Sequence, residues 1–264
     1  MNFIQAKKRF AEYLGQYDSN DDKIKLKIVH TYGVIHDMEE ITRRMGLGME
    51  DTQLAKLIAL LHDIGRFEQL RRFDSFEPGL MDHAAYGVEI LFGEGMIRQF
   101  VEEDTWDHII RTAIARHSDF KLEGISDSRE LLHAQLIRDA DKLDNCRVKL
   151  EEKIETLLGM SAEEVGRLQM TPKIYEDFYR HQSILSADRK NAMDHWVSYM
   201  AYFYDINFKE SMEIIKEKNY VSLLFDRIPY SNPDTAKKMA AMKEEMLAYV
   251  QKRTEKENVR SKNT

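Results

Sequence analysis

The sequence predicts an all-α fold, and three observations carry that reading. Leu54, Leu57, Ile58 and Leu61 follow the i, i+3, i+4, i+7 pattern of a buried helix face. Only four prolines (Pro78, Pro172, Pro229 and Pro233) interrupt 264 residues, and the glycines cluster between periodic stretches. No pair of alternating segments reads as two paired strands.

Taken in order, the first fourteen residues carry Lys7, Lys8, Arg9 and Glu12, with no apolar core of the signal-peptide kind. The helix bearing Leu54 and Leu61 is expected to start after Gly46-Leu47-Gly48 and to end near Gly65, where a glycine would let the chain turn. Asp104 is the expected cap of a helix running through Ile109, Ile110, Ala113 and Ile114 toward His117. Leu136, Ile137, Ala140 and Leu143 form a further buried stripe. Beyond about residue 150 the texture changes. Ser161 with Glu164 reads as a capping box, and Asn232-Pro233 as a helix start. Between them, Trp196, Tyr199 and Phe203 are spaced as a core or dimer stripe, so the neighbouring His195 is not taken as a ligand. The expected organisation is a core over residues 1–150, with a helical extension over residues 151–264 packed on it.

Composition narrows the function classes. A hydrophobic share of 43% with 32% charged residues fits a globular chain, and no apolar run approaches the ~20 residues that cross a bilayer. The single cysteine, Cys146, rules out an internal disulfide, suits a reducing cytoplasm and excludes a thiolate cage for zinc. A net charge of −7 gives no pull toward duplex nucleic acid. The basic residues near the end, Lys252, Arg253, Lys256, Arg260 and Lys262, read as a solvated helix end. A homo-oligomer is compatible with all of this.

Five stretches carry chemistry. They are Val-His30-Thr, Leu-His62-Asp63-Ile-Gly-Arg66, Asp82-His83-Ala-Ala-Tyr-Gly, Ala-Arg-His117-Ser and Ile-Arg-Asp139-Ala-Asp141-Lys142-Leu-Asp144. Imidazoles and carboxylates together suit iron, manganese, cobalt, nickel or zinc. Four histidines and two aspartates exceed what one tetrahedral ion needs, but match two ions sharing a bridging carboxylate. Helix geometry chooses among the aspartates. Asp139 and Asp141 point about 200° apart, and Asp141 lies about 40° from Ile137 on the buried stripe. Asp141 is therefore the expected ligand, and Asp139→Ala is expected to be nearly silent. By the same geometry His108 and His117 fall on opposite faces, and His117 takes the site. His36, His133 and His181 fit no pattern and read as surface or ordinary helix residues.

This ordered set resembles the HD superfamily of metal-dependent phosphohydrolases, whose pattern is a histidine, a His-Asp pair and a later aspartate. His30, His62-Asp63 and Asp141 match it in order over about residues 24–150. His83 and His117 resemble the extra histidines of its binuclear branch, which includes the HD-GYP cyclic-dinucleotide phosphodiesterases. The resemblance implies a helical HD-domain bundle with a C-terminal extension. It also implies one divalent ion among His30, His62, Asp63 and Asp141, and a second among Asp63, His83 and His117. A metal-activated water would attack phosphorus, with Asp63 at its centre and Arg66 and Lys142 stabilising phosphoryl charge. The chain departs from the branch where His-His reads His117-Ser118. No Gly-Tyr-Pro follows, which argues against a cyclic dinucleotide. Arg66 stands where lysine is frequent, and its guanidinium can hold a phosphate by a bidentate fork.

The implied substrate is a small phosphorylated metabolite, nucleotides included, without a choice among monoester, cyclic phosphodiester and polyphosphate. Two other readings stay open: a mixed-valent diiron oxygenase using the same ligands, and a non-catalytic HD sensing module. Asp144, one turn past Asp141, is expected to orient a ligand, and Arg43-Arg44 and Arg71-Arg72 read as solvated pairs.

Overall fold

The computed structural model describes residues 2–76 and 79–255. Pro78 and the basic residues Lys256, Arg260 and Lys262 lie outside the described residues. Every regular element among the described residues is helical. The chain divides between Asp144 and Asn145 into two compact units.

The first unit is built on α1 (Phe3–Leu14), α2 (Asp22–Met45), α3 (Met49–Leu61), α4 (Ile64–Phe73), α5 (His83–Val88), α6 (Asp107–Arg116) and the first part of α7 (Ser128–Glu151). Local sequence chemistry sets these boundaries. The Asp21 carboxylate accepts from the backbone N–H groups of Lys23 and Ile24 at the start of α2. Gly46 ends that helix in the left-handed region at φ 66°, where a Cβ would strain. Asp127 caps α7 by accepting from Arg129 and Glu130 N–H at 2.9 Å.

Helix α3 packs against α1, α2 and α6, which explains why it is apolar nearly all round toward its end. Every residue from Leu57 to Leu61 is fully buried, beyond the single face that the spacing predicts. The helix stops at Leu61, not near Gly65. Asp63 takes φ −104°, ψ 18°, and α4 begins at Ile64, so the His62-Asp63 pair forms the corner itself. Gly65 lies inside α4. A Cβ there would stand 2.2 Å from the carbonyl oxygen of His83 and 2.6 Å from Gly87 N, so this glycine lets α4 press on the backbone of α5. The expected Asp104 cap is also corrected. Helix α6 begins at Asp107 after Trp106, which makes no side-chain cap bond, and Asp104 offers only its carbonyl to Asp107 N–H, at 3.0 Å.

The second unit contains α8 (Ile154–Leu158), α9 (Ala162–Arg167), α10 (Pro172–Phe178), α11 (Ala192–Ala201), α12 (Lys209–Glu217), α13 (Tyr220–Phe225) and α14 (Pro233–Glu255). Ser161 and Glu164 form the capping box that starts α9, and Asn232 accepts from Asp234 and Thr235 N–H at the start of α14. Met239, Met242 and Met246 line the buried face of α14. Trp196 is fully buried, with Phe178, Phe203 and Phe225 also in this unit's core, while His195 is exposed. Among the described residues no helix is long and apolar enough to cross a membrane.

Candidate metal centre

His30 sits in α2, and its Nδ1 lies 2.7 Å from the Oδ2 of Asp144 in α7. Gly33 makes this pairing feasible, because a Cβ at residue 33 would fall 1.9 Å from Asp144 Oδ1. At the α3–α4 corner, His62 Nδ1 meets the carbonyl oxygen of Ala59 at 2.8 Å. His117, just past the end of α6, meets the Ile114 carbonyl with Nδ1 at 2.7 Å. A carbonyl can only accept, so both imidazoles carry their proton on Nδ1 and present Nε2 as a lone pair, that of His117 lying 3.1 Å from His83 Nε2. His83 opens α5 behind the Asp82 cap, whose carboxylate accepts from Ala85 N–H. Its Nε2 lies 2.9 Å from Arg66 Nη2, and a guanidinium only donates, so here too the lone pair sits on Nε2.

These nitrogens converge on the two oxygens of Asp63. Oδ2 faces His30 Nε2 at 3.9 Å and His62 Nε2 at 3.6 Å. Oδ1 faces His83 Nε2 at 3.4 Å and His117 Nε2 at 3.6 Å. Asp141 Oδ1 closes the first side, 3.0 Å from His30 Nε2 and 3.9 Å from His62 Nε2. Two clusters result, His30-His62-Asp141 and Asp63-His83-His117, each with one ligand atom per residue and all such atoms within 4.8 Å of one another.

The electrostatics match a cation site. Burial opposes charge on Asp63, yet Lys27, His62, His117 and Arg66 hold its carboxyl well below the usual range. Asp141 is likewise held low against burial, chiefly by His30. Burial pushes His62 down to about 4 and His83 down to about 2, so both imidazoles are neutral donors at neutral pH. Burial and Lys27 press His30 in the same direction, but Asp141 and Asp144 outweigh them and raise it. The Nε2 atoms of His30 and His62 are fully buried and face only carboxylates and other imidazoles, the Asp141 carboxylate coming within 3.0 Å of His30. Leaving a buried nitrogen such as His62 Nε2 unsatisfied costs about 1–3 kcal/mol, so imidazole nitrogens converging with two carboxylates fit a bound cation.

Of the other sequence candidates, Arg66 is at the site. Besides His83, it donates from Nη1 to Gln69 Oε1 at 2.7 Å and to the Phe76 carbonyl at 3.4 Å, and its Nε is 3.8 Å from Asp63 Oδ1. Lys142 donates to the carbonyl of Arg138, one turn back on its own helix, at 3.3 Å. The ammonium found against Asp63 is that of Lys27, which sequence reasoning missed, at 2.6 Å from Oδ2. Its one sequence signal is its place three residues before His30 on the same helix. Sequence reasoning also missed Arg138. It is buried, and its Nη1 donates to the carbonyls of Arg116, His117 and Asp119, pinning the turn that carries His117.

Asp139, expected to point away from the site, is fully buried and has partners of its own. Arg71 and Arg72 both pair with Glu68, and Arg43 and Arg44 both with Glu40. His36 and His108 are exposed. His181 pairs with Glu245 at 2.9 Å. His133 is not a surface residue; it is fully buried, with Nε2 3.0 Å from Asp51 Oδ1.

No curated protein and no solved structure matches the chain. Residues 28–146 match the HD domain family model, a span that contains all six converging side chains. Residues 28–146 thus carry an HD domain, the domain that characterises a superfamily of metal-dependent hydrolases.

Proposed function

We propose that the chain is a binuclear phosphohydrolase that cleaves a phosphate ester of a nucleotide or another small phosphorylated metabolite. The observation that carries this reading is Asp63, whose two oxygens face two separate pairs of imidazoles. His30, His62, Asp63 and Asp141 would hold one divalent ion, and Asp63, His83 and His117 the other. When bound, such ions polarise phosphoryl oxygens and acidify a water at neutral pH. Manganese, iron, cobalt, nickel and zinc all suit this donor set.

The chain's own groups supply orientation and charge. Asp144 and the carbonyls of Ala59 and Ile114 fix three imidazole rings, so little reorganisation is needed when a cation is taken up. Arg66 places a guanidinium beside the second cluster, where it can neutralise charge that develops on a phosphoryl oxygen. Lys142 shares that assignment by its place next to Asp141, although its ammonium turns to Arg138. The four histidines and Asp63 are closed to bulk water, which strengthens every electrostatic contact inside.

The test is a panel of phosphorylated metabolites assayed for phosphate release with each metal in turn. Release that Asp63→Ala abolishes together with bound metal supports the reading. The same donors suit a diiron oxygenase, so oxygen uptake coupled to substrate oxidation, without phosphate release, would replace it. A chain without metal or activity, unchanged by Asp63→Ala, would be a sensing module.

A further inference from the structure

Access to the two ligand clusters is uneven. The side chains of His30, His62, Asp63, His83 and His117 are each no more than 8% exposed. Three groups around them are more open: Asp141 at 23%, Lys27 at 15% and Arg66 at 13%. A molecule arriving from solvent therefore meets one carboxylate and two cations first. Those cations stand on opposite sides of Asp63. Lys27 Nζ is 2.6 Å from Oδ2, on the side of His30 and His62, whereas Arg66 Nε is 3.8 Å from Oδ1, on the side of His83 and His117. Phe76 connects the two. Its carbonyl accepts from Arg66 at 3.4 Å, and its ring centroid lies 5.8 Å from Lys27 Nζ.

We propose that Lys27 and Arg66 form a two-pronged anion contact across Asp63, in which Lys27 binds the substrate's phosphoryl group directly. An ammonium has three protons, and the contact to Asp63 Oδ2 uses one, which leaves two for an incoming oxygen. The charge balance agrees. Two divalent ions on the carboxylates of Asp63 and Asp141 leave a positive centre, and Lys27 and Arg66 raise it by two more. A doubly charged phosphoryl group offsets part of that excess, and an uncharged polyol offsets none. The inference rests on the two-ion reading above and narrows its substrate to a polyanion.

The test uses the full chain loaded with manganese and titrated calorimetrically with inorganic phosphate, with metal content measured on each sample. Lys27→Met is expected to keep the wild-type metal content and to weaken phosphate by about 10- to 100-fold, the range for losing a charge-assisted hydrogen bond. Lys27→Arg is expected to retain most of the affinity. Wild-type affinity in Lys27→Met overturns the inference, and so does a wild type that does not bind phosphate. Loss of metal in Lys27→Met overturns it too, since Lys27 would then act only through Asp63. A wild type that binds phosphate through Lys27 but releases none from any ester leaves this contact standing and removes the hydrolase reading instead.

Discussion

Replacing Gly65 with alanine separates the two halves of the centre, and the size of the effect can be worked from the packing. The added Cβ would sit 2.2 Å from the carbonyl oxygen of His83, about 1.2 Å inside ordinary contact at 3.4 Å. Its next neighbour, Gly87 N at 2.6 Å, is also backbone, so no side-chain rotation relieves the clash. Helix α5, the shorter of the two, must move off α4 by roughly that distance. Asp63 borders α4 and His83 belongs to α5, so their present 3.4 Å approach opens by a similar amount. Metal ligand distances tolerate only about 0.2 Å. The His30-His62-Asp141 cluster does not use α5 and keeps its geometry. Overpacking costs about 1–3 kcal/mol, offset by about 1 kcal/mol of helix propensity gained over glycine. Gly65→Ala should therefore be destabilised by up to about 2 kcal/mol in urea melts and should retain one ion per chain by elemental analysis. An alanine variant as stable as wild type with both ions bound would refute the packing argument.

Neighbouring contacts give further expected outcomes. Asp144→Asn weakens the partner of His30 Nδ1 and should lower metal affinity about 10- to 100-fold in competition with a chelator. Asp139→Ala should leave metal content intact yet lose about 1–3 kcal/mol in chemical denaturation, because it removes a fully buried carboxylate that has partners. Arg66→Ala should keep the ions and raise KM for phosphorylated substrates; unchanged kinetics would take Arg66 out of the site. For pH, burial lowers the pKa of His133 from its ordinary 6.5 despite the pull of Asp51. The native state thus prefers neutral His133. Its contribution is full above about 6.5 and is lost as pH falls below that, with a slope of at most about 1.4 kcal/mol per unit. His133→Asn should flatten the stability profile between pH 6.5 and 5 and leave it unchanged above. Asp51 acts in a separate window. Although burial raises its pKa, His133 and Arg129 lower it overall, so its share is lost only as pH drops below about 3.8.

Residue type and order made the candidate ligands legible in the sequence, since imidazoles and carboxylates on apolar helices have few other uses at that density. Helix geometry separated Asp141 from Asp139, and the structure sets Asp141 against His30. It did not show that the opposite face of α7 is buried too, because periodicity in one stripe says nothing about what covers the other side. The glycines mislead for a related reason. Along the sequence Gly65 looks like a breaker, but it marks a helix–helix approach, as Gly33 does beneath Asp144. Lys27 is hidden because lysines are ordinary on helix surfaces, and its partner Asp63 lies 36 residues away. The caps at Ser161 and Asn232 are readable, since both ends of each contact lie within three residues.

The central claim is that one carboxylate, Asp63, serves two ions. Native mass spectrometry of the full chain reconstituted with manganese tests it most directly. The account predicts two ions per wild-type chain and none retained by Asp63→Ala. One ion in the wild type, or two in the variant, would contradict it.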